Sequence, residues 1–368
     1  MGTACRRPAP PGRRGPPRRL VKTRPRGRAR PRWIAAGLLV VGAAVVLGVA
    51  IGPVSLPPLG VALELLDRLP LVDIDSGLDE TQANIVWLLR LPRVVLALLV
   101  GGMLALAGGC YQGVFRNPLA DPMLLGVASG AGLGATLFIT ARAAGFPAAQ
   151  GVLPIAAFVG AVGALLLTYL VGGVGKGGRN PTRLILAGVA VTSFLSAVQT
   201  YVQQRNAEAI RQVYSWLLGR LAVSGWNDVL TVLPYVAVTA AIVLTLRREL
   251  DVLTVGDDEA SGLGLHPQRS RYLLLAAASL GTAAAVSVAG LIGFVGIIVP
   301  HIVRLLAGPS YRSILPLSVL FGGAFLVLAD LLARVAVAPG ELPIGVVTAF
   351  AGAPFFVLVM RTTRQEAL

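Results

Sequence analysis

The chain has 368 residues, 55% of them hydrophobic and only 13% charged, and its mean hydropathy is +0.76. Ordinary soluble domains are about a quarter charged, so this composition excludes a soluble globular enzyme. Residues 1–32 hold twelve of the basic residues behind the formal net charge of +15, and the rest of the chain is nearly neutral, with 20 basic and 17 acidic residues.

Residues 1–32 form a basic, proline-rich tail with almost no apolar side chains. Such a segment cannot bury enough surface to offset the entropy lost on ordering, so we predict that it is disordered. Its charge is typical of a cytoplasmic anchor against anionic membrane lipid. A twin-arginine export signal around Arg18 and Arg19 is a weaker alternative, as is a nucleic-acid-binding arm, and no nucleic-acid partner is expected.

From residue 33 to the end, the chain is a series of apolar runs separated by short polar gaps. An α-helix needs about 20 apolar residues to cross roughly 30 Å of hydrocarbon, so residues 33–368 are predicted to form one all-α, polytopic membrane domain. Ten spans are predicted. Gly290 marks a turn between the seventh and the eighth, and if these two form one helix the number of spans is nine. The ten predicted spans are 33–51, 93–111, 123–141, 154–172, 185–204, 229–246, 272–288, 289–306, 314–333 and 343–360.

The distribution of Lys and Arg between the loops predicts the orientation. With ten spans and a cytoplasmic N-terminus, 24 basic residues fall on the side of the tail and eight on the other. Cytoplasmic loops carry the excess of basic residues. Both termini are therefore expected in the cytoplasm, in a multi-pass protein of the cell membrane.

Two glycine-rich stretches imitate nucleotide sites but fail on context. The segment 130–135 fits G-x-G-x-x-A but follows no strand, and the stretch 172–178 lacks the spacing of a P-loop. His266 and His301 have no Cys, Asp or Glu beside them at ligand spacing. We therefore expect no enzyme activity, no metal site and no cofactor bound by this chain.

The fifth predicted span carries a polar stripe. Thr192, Ser196, Gln199 and Gln203 follow one another at spacings of 4, 3 and 4, which places them on one face of a helix, and Thr200 widens the stripe. Polar side chains at membrane depth are costly and face either a water-filled path or a partner helix. Both interpretations remain open from the spacing alone.

Charged residues cluster at the predicted outer ends of two spans. Asp330 and Arg334 are four residues apart and can pair across one helical turn. Arg90 and Arg93 bracket Pro92 where the second span begins. As exposed bases, the three arginines could contact only water and headgroups, or they could recognise an acidic protein.

The longest predicted inner loop, 249–271, is rich in acidic and small residues and too polar to enter the membrane. Connections between helices are usually short, and long ones are often functional. A cytoplasmic loop of this length indicates a docking element for a soluble partner.

Several blocks closely resemble, in order, the membrane subunits of the ABC importers for ferric siderophores, haem and vitamin B12. Each block alone is weak, but their shared order is specific, and the resemblance extends from about residue 33 to the end. The blocks are RLPR at 90–93, RNPLADPMLLG at 116–126, LILAGVAV at 184–191, the loop ending in Ala260 and Leu263-Gly264, GLIGFVGIIVPHIVR at 290–304, LAD with Arg334, and ELPIGVVTAFAGAPFF at 341–356.

This resemblance implies a ten-helix permease of the type II ABC importer architecture that works as a dimer. It implies a substrate path between the fifth helices of the two copies, where the stripe from Thr192 to Gln203 lies. The second permease is an identical chain or a sister chain. The other implied partners are two cytoplasmic ATPase subunits, which use the ATP, and an external substrate-binding protein.

The resemblance also implies roles for matching residues. Short coupling helices at about 255–265 are expected to fit a groove on the ATPase, and the family's usual Glu after the first glycine is Asp257 in this chain. The coupling residues implied are Gly256, Asp257, Ala260, Leu263 and Gly264. The arginines implied to meet glutamates of the binding protein are Arg90, Arg93 and Arg334.

The function implied is ATP-driven import of a ferric siderophore across the cytoplasmic membrane, favoured by the breadth of the family. Cobalamin and haem remain alternative substrates, because the residue types along the path do not indicate which substrate passes. An ion-gradient-driven secondary transporter is a further alternative and needs a titratable cluster at the bilayer midplane. Asp330 is the only acid within a predicted span, and it lies near the end of that span.

Overall fold

The computed structural model describes residues 31–52, 54–68, 74–147, 152–173, 181–221 and 225–365. The predicted disorder of the tail lies outside the described residues, except that Pro31 and Arg32 belong to the first helix. Lys176 and Arg179, two of the 24 basic residues counted on the side of the tail, also lie outside them.

Helices account for most of the described residues, and none of these residues forms a strand. A π-helical turn, Ile85–Arg90, joins α3 and α4 of the series below into one continuous helix, and 3-10 turns occupy Pro122–Leu125 and Ala207–Ala209. The α-helices are α1 Pro31–Ala50, α2 Pro58–Asp67, α3 Glu80–Asn84, α4 Leu91–Phe115, α5 Val127–Ala143, α6 Val152–Val171, α7 Pro181–Arg205, α8 Ile210–Leu217, α9 Asn227–Thr245, α10 Arg247–Leu253, α11 Asp257–Gly262, α12 Pro267–Ala289, α13 Val295–Ala307, α14 Tyr311–Val335 and α15 Ile344–Gln365.

The predicted spans coincide with helices. In the part of the chain that the structure describes, seven helical segments are long and apolar enough to cross a membrane. The predicted third span corresponds to α5, which has 17 residues, and the last and eighth correspond to α15 and α13, whose apolar parts are also shorter. The all-α membrane class is confirmed, and the count of ten spans stays a prediction.

The turn expected at Gly290 does separate α12 from α13. Gly290 has a φ of 70°, a conformation that favours glycine, and a Cβ there would lie closer than 3.0 Å to the carbonyl oxygen of Trp216. Phe294 is also left-handed, with a φ of 68°, and α13 begins at the next residue. Pro300 lies inside α13 without ending it.

The centre of the bundle is α4, which packs against α9, α12, α13 and α14. On one side α1 covers α14, and on another α5 pairs with α6 and α7. A Cβ at Gly130 of α5 would lie closer than 3.0 Å to the backbone of Gly160 on α6. Small residues allow this close approach, which supplies packing energy where lipid provides no hydrophobic drive between helices.

The long helices place the short ones at two opposite ends of the bundle. One end holds α10, α11 and the first residues of α12 and α14, and we refer to it as the α11 end. The other holds α2, α3, α8 and the segment 336–343, and we refer to it as the α2 end.

Candidate functional site

The predicted polar stripe lies along one edge of the exposed face of α7. Ser196 and Thr200 are exposed, Thr192 and Gln203 are half-buried, and Gln199 is buried. The stripe therefore runs from the interior of the protein to an open surface within a single helix.

Gln199 lies on the buried side of this stripe and Thr200 on its exposed side. Gln199 faces α5, where a Cβ at Gly132 would lie only 3.0 Å from its Oε1, so the glycine leaves room for the amide. Thr200 lies on the open side, and its hydroxyl donates to the carbonyl of Ser196 at 2.9 Å. Because the backbone of α7 satisfies this hydroxyl, it needs no partner helix.

Large apolar side chains share the exposed face of α7 with the stripe. Leu186, Phe194 and Tyr201 are 64%, 63% and 60% exposed. A surface that mixes such side chains with hydroxyl and amide groups can pack against another helix and also line a polar passage. Its assignment to the translocation path stays a prediction.

At the α11 end, Asp257 is held by two arginines. Nη2 of Arg271 donates to Oδ1 of Asp257 at 2.9 Å, and Nη2 of Arg116 donates to the same oxygen at 2.5 Å. Partial burial alone would raise the pKa of this carboxyl, but the hydrogen bonds and charges of both arginines outweigh it and lower the pKa. The carboxylate therefore ties the first turn of α11 to α4 and α12.

Some of the other predicted coupling residues support the backbone of α11, and one lies on its exposed surface. Gly256 has a φ of 151°, a backbone conformation that other residues rarely adopt, so the position favours glycine. Gly264 follows α11 with a φ of 83°. Ala260 is fully buried, whereas Leu263 is 71% exposed. The short helix is thus anchored on one side and presents an apolar side chain on the other.

A second acid, Asp251, fixes α10. Its carboxylate accepts from the hydroxyl of Ser310 at 2.8 Å and from the backbone N–H of Tyr311 at 2.6 Å, at the N-terminus of α14, where negative charge is stabilised. Nε of Arg116 donates to the carbonyl of Leu253 at 2.7 Å. The α10–α11 pair is therefore attached to the ends of α4, α12 and α14.

At the α2 end, Arg90 and Arg334 bind the C-terminal end of α1. Arg90 donates to the carbonyls of residues 49 and 50 at 2.7 and 2.9 Å, and Arg334 to those of residues 48 and 51 at 2.8 and 2.9 Å. The last carbonyls of a helix lack partners within it and form the negative end of its dipole. The two arginines therefore cap α1.

Asp330 connects Arg334, one of these two caps, to α4. Its side chain is 2% exposed and accepts from Nε of Arg334 at 3.0 Å, which confirms the predicted pair, and from Nη2 of Arg93 at 2.9 Å. Arg93 also donates to Glu341 at 3.0 Å, and this hydrogen bond lowers the pKa of the Glu341 carboxyl. Arg93, Arg334 and the two carboxylates thus form one network, and Arg90 lies beside it on the carbonyls at the end of α1.

The expectation that all three arginines are exposed is wrong for two of them. Arg90 and Arg334 are 8% and 7% exposed, because they reach inward to the end of α1. The side chain of Arg93 is 20% exposed. The docking role of the three arginines stays a prediction, and the structure gives Arg90 and Arg334 a structural role in addition.

Sequence reasoning missed Asp251 and Glu341, whose carboxylates hold together the α11 end and the α2 end. Glu341 lies 248 positions from Arg93, and Asp251 lies 60 positions from Tyr311. Neither has a local spacing that indicates its partner. The only available signal was their place in the family-like block at 341–356 and in the long loop.

The candidate site consists of three surfaces, which are the exposed face of α7, the α10–α11 pair and the network at the α2 end. Within the described part of the chain, no group of three or more His, Cys, Asp or Glu side chains could hold a metal ion.

The sequence profile of the FecCD transport family matches residues 38–362. The chain belongs to the FecCD transport family. It is therefore the permease of an ABC importer, a multi-pass protein of the inner membrane, and in this family the ATPase is a separate subunit. This assignment confirms the resemblance found in the sequence blocks.

Relatives of this FecCD permease are named for different cargoes. The cobalamin import system permease protein of Halobacterium salinarum is 47% identical over 80% of this chain and 78% of the relative. An Fe(3+)-citrate import system permease protein of Bacillus subtilis is 38% identical over 82% of this chain and 88% of the relative. The hemin transport system permease protein of Yersinia pestis is 37% identical over 77% and 85%.

A solved structure has the same architecture as this FecCD permease. It is described as an inward-facing conformation of a metal-chelate type ABC transporter and is 31% identical to this chain. The two superpose with a TM-score of 0.78, over 90% of this chain and all of the other. The all-α importer permease architecture is thereby confirmed.

Proposed function

We propose that this FecCD permease pairs with a second permease chain and passes its substrate between the two α7 helices. The observation that carries the proposal is the exposure of α7. Only 17% of the apolar window of α7 is buried, the lowest share among the seven candidate spans of the described residues. Ser196 and Thr200 are exposed on this face and Gln203 is half-buried, and polar side chains at membrane depth are costly in lipid. A second chain that covers the face, with a water-filled path beside it, accounts for both the apolar and the polar side chains.

In this proposal the α11 end is cytoplasmic and the α2 end is external, as the predicted distribution of 24 and eight basic residues favours. Two ATPase subunits bind the α10–α11 pairs, and an external binding protein delivers substrate to the α2 end. Closure of the ATPases on ATP displaces α10 and α11. The contacts of Asp251 and Asp257 then pass this movement to α4, α12 and α14 and bias the path between outward-open and inward-open states.

The proposed cargo is a ferric siderophore or a similar iron chelate. Relatives named for Fe(3+)-citrate and Fe(3+)-hydroxamate import, which are 38% and 37% identical to this chain, support this class. Cobalamin is the second candidate, supported by the 47% identity to the cobalamin import permease of Halobacterium salinarum. In either case affinity resides in the binding protein, and the permease supplies a conduit.

Uptake assays decide between these cargoes. Labelled iron is supplied as ferric citrate, ferric hydroxamates and haem, alongside labelled cobalamin, to cells lacking this gene and to cells with the gene restored. Loss and rescue of one compound identifies the cargo. Uptake that persists after ATP depletion with an intact proton gradient would contradict the ATP-driven mechanism, and no change for any compound, once redundant importers are deleted, would contradict the import function.

Cysteine cross-linking tests the pairing directly. Ser196→Cys is introduced into a chain in which Cys5 and Cys110 are replaced by alanine, and the membranes are oxidised. We expect a covalent dimer, because the exposed faces of two α7 helices meet. Leu166→Cys on α6, where the leucine is 58% exposed, is the matched control and is expected to remain monomeric.

A further inference from the structure

The α2 end presents fewer accessible positive groups than its sequence suggests. Arg90 and Arg334 are buried against α1. Arg93 is 20% exposed, and Arg220, in the connection between α8 and α9, is exposed. An acidic protein that approaches this end therefore meets Arg93 and Arg220, together with the exposed Arg68 and Arg211, but not Arg90 or Arg334.

Arg93 is not free to bind such a partner in the isolated chain. One edge of its guanidinium is held by Asp330, whose side chain is 2% exposed and out of reach from outside. The other edge is held by Glu341, with Nη1 to Oε1 and Nη2 to Oε2 both at 3.0 Å. The side chain of Glu341 is 50% exposed. A carboxylate from outside can form a pair of hydrogen bonds with Arg93 only where Glu341 now lies.

Glu341 and Arg220 lie on neighbouring segments of the α2 end. The N–H of Ile344, three residues after Glu341, donates at 3.1 Å to the carbonyl of Gly219, the residue before Arg220. Besides the hydrogen bond and charge of Arg93, the positive charges of Arg334 and Arg220 also lower the pKa of the Glu341 carboxyl. The side chain of Arg220 makes no ion pair with any described residue. Arg220 therefore provides a second positive group that Glu341 can approach after leaving Arg93.

The backbone around Glu341 connects this exchange to the helices below. Leu342 donates its N–H to the carbonyl of Ala333 in α14 at 2.9 Å. The N–H groups of Ile344 and Gly345, at the start of α15, donate to the carbonyls of residues 219 and 218 at 3.1 and 3.0 Å. A displacement of Glu341 thus acts on the junction of α8, α14 and α15.

We propose that Glu341 is an exchangeable carboxylate that covers Arg93 until an acidic side chain of the external binding protein takes its place, whereupon Glu341 moves to Arg220. The proposal rests on the proposed function, since it requires an external binding protein. The exchange replaces one ion pair by another, so docking neither leaves Arg93 unpaired nor adds a strong new pair. The binding protein is therefore recognised by charge and still released in each cycle.

The test measures binding of the importer's purified binding protein to the full permease complex in lipid nanodiscs. Glu341→Gln removes the competing charge, so we expect docking about three- to tenfold tighter than for the wild type. Glu80→Gln is the matched control, because it removes one exposed acidic charge at the same end but thirteen positions before Arg93. Its affinity is expected to stay within about twofold of the wild type.

Two further variants separate exchange from a general change of charge or from misfolding. Arg93→Gln weakens docking, and in that background Glu341→Gln gives no further gain. Arg220→Gln also weakens docking, because Glu341 loses its second position. Thermal unfolding of each variant shows that it is folded.

The outcomes are distinguishable. Tighter docking of Glu341→Gln alone, lost in the Arg93→Gln background, supports the exchange. Wild-type affinity for Glu341→Gln, or the same gain for Glu80→Gln, overturns it and leaves the proposed function intact. Absence of any docking by the wild-type complex, with a binding protein that supports uptake in cells, would instead contradict the proposed function.

Discussion

Helices α4 and α7 are each 25 residues long and both are candidate membrane spans, yet 83% of the apolar window of α4 is buried inside the protein and only 17% of that of α7. Their lengths are equal and their surroundings opposite. A single chain therefore buries most of α4 by its own packing. Most of α7 can be covered only by something outside the chain.

The physical basis is the distribution of small and polar residues. A Cβ at Gly101 or Gly108 of α4 would lie closer than 3.0 Å to the backbone of Gly322 or Gly296, so these glycines admit α14 and α13 to direct contact. On α7, Ser196 and Thr200 occupy open surface instead. Substitutions in α4 and its contacts should therefore change the stability of the chain, and substitutions on α7 should change its assembly.

The largest effect is expected for Asp330→Asn, which removes the buried carboxylate that holds Arg93 at the start of α4. Arg334 loses its ion pair while it remains buried, and breaking a buried pair costs about 3–5 kcal/mol. Denaturant unfolding in detergent measures the change. Glu341→Gln in the same network is the control, because a half-exposed pair contributes about 1 kcal/mol or less. Equal stability of the two variants would show that burial does not set the cost.

A smaller loss is expected for Gly108→Ala. The added methyl group would meet the backbone of Gly296 at less than 3.0 Å, so α4 and α13 must separate, and overpacking costs about 1–3 kcal/mol. Gly163→Ala on α6 is the matched control, since nothing lies within 4 Å of a Cβ there. Thermal unfolding compares the two, and a loss at Gly163 as large as that at Gly108 would contradict the contact.

For Ala197→Trp on the exposed face of α7, we expect the opposite of the two preceding substitutions, with stability unchanged and transport lost. The side chain points away from the rest of the chain, so stability should change by no more than about 0.5 kcal/mol. Transport should fall at least about tenfold, because the indole blocks the approach of a second copy and the path beside it. Leu166→Trp on α6 is expected to transport normally. Normal uptake by Ala197→Trp would remove α7 from the pairing surface.

A similarly small change in stability is expected for Leu263→Ser, at the residue that directly follows α11. Leu263 is 71% exposed, so its removal leaves the chain folded, within about 0.5 kcal/mol of the wild type. Copurification of the ATPase subunit should fall, because the apolar contact on the coupling helix is lost. Leu59→Ser, where the leucine is 72% exposed on α2, is the control. Undiminished copurification with Leu263→Ser would exclude α11 as the ATPase contact.

Much of the helical structure could be predicted locally. Apolar runs of spanning length predicted the helices, Gly290 predicted the turn after α12, and the four-residue spacing of Asp330 and Arg334 predicted their ion pair. The boundaries were less accurate, because propensity alone does not say where a helix continues beyond its apolar run. The continuous helix that contains α4 begins at Glu80, whereas its span was expected to begin at residue 93.

The sequence by itself determined the membrane class, the family and the polar stripe of α7, because apolar length, block order and helical spacing are local properties of the chain. Only the tertiary structure decided that Arg90 and Arg334 cap α1 and that Glu341 covers Arg93. These contacts join residues between about 40 and almost 290 positions apart. They exist because burial forces each charged group to find a partner, and only the packed helices determine which partner is within reach.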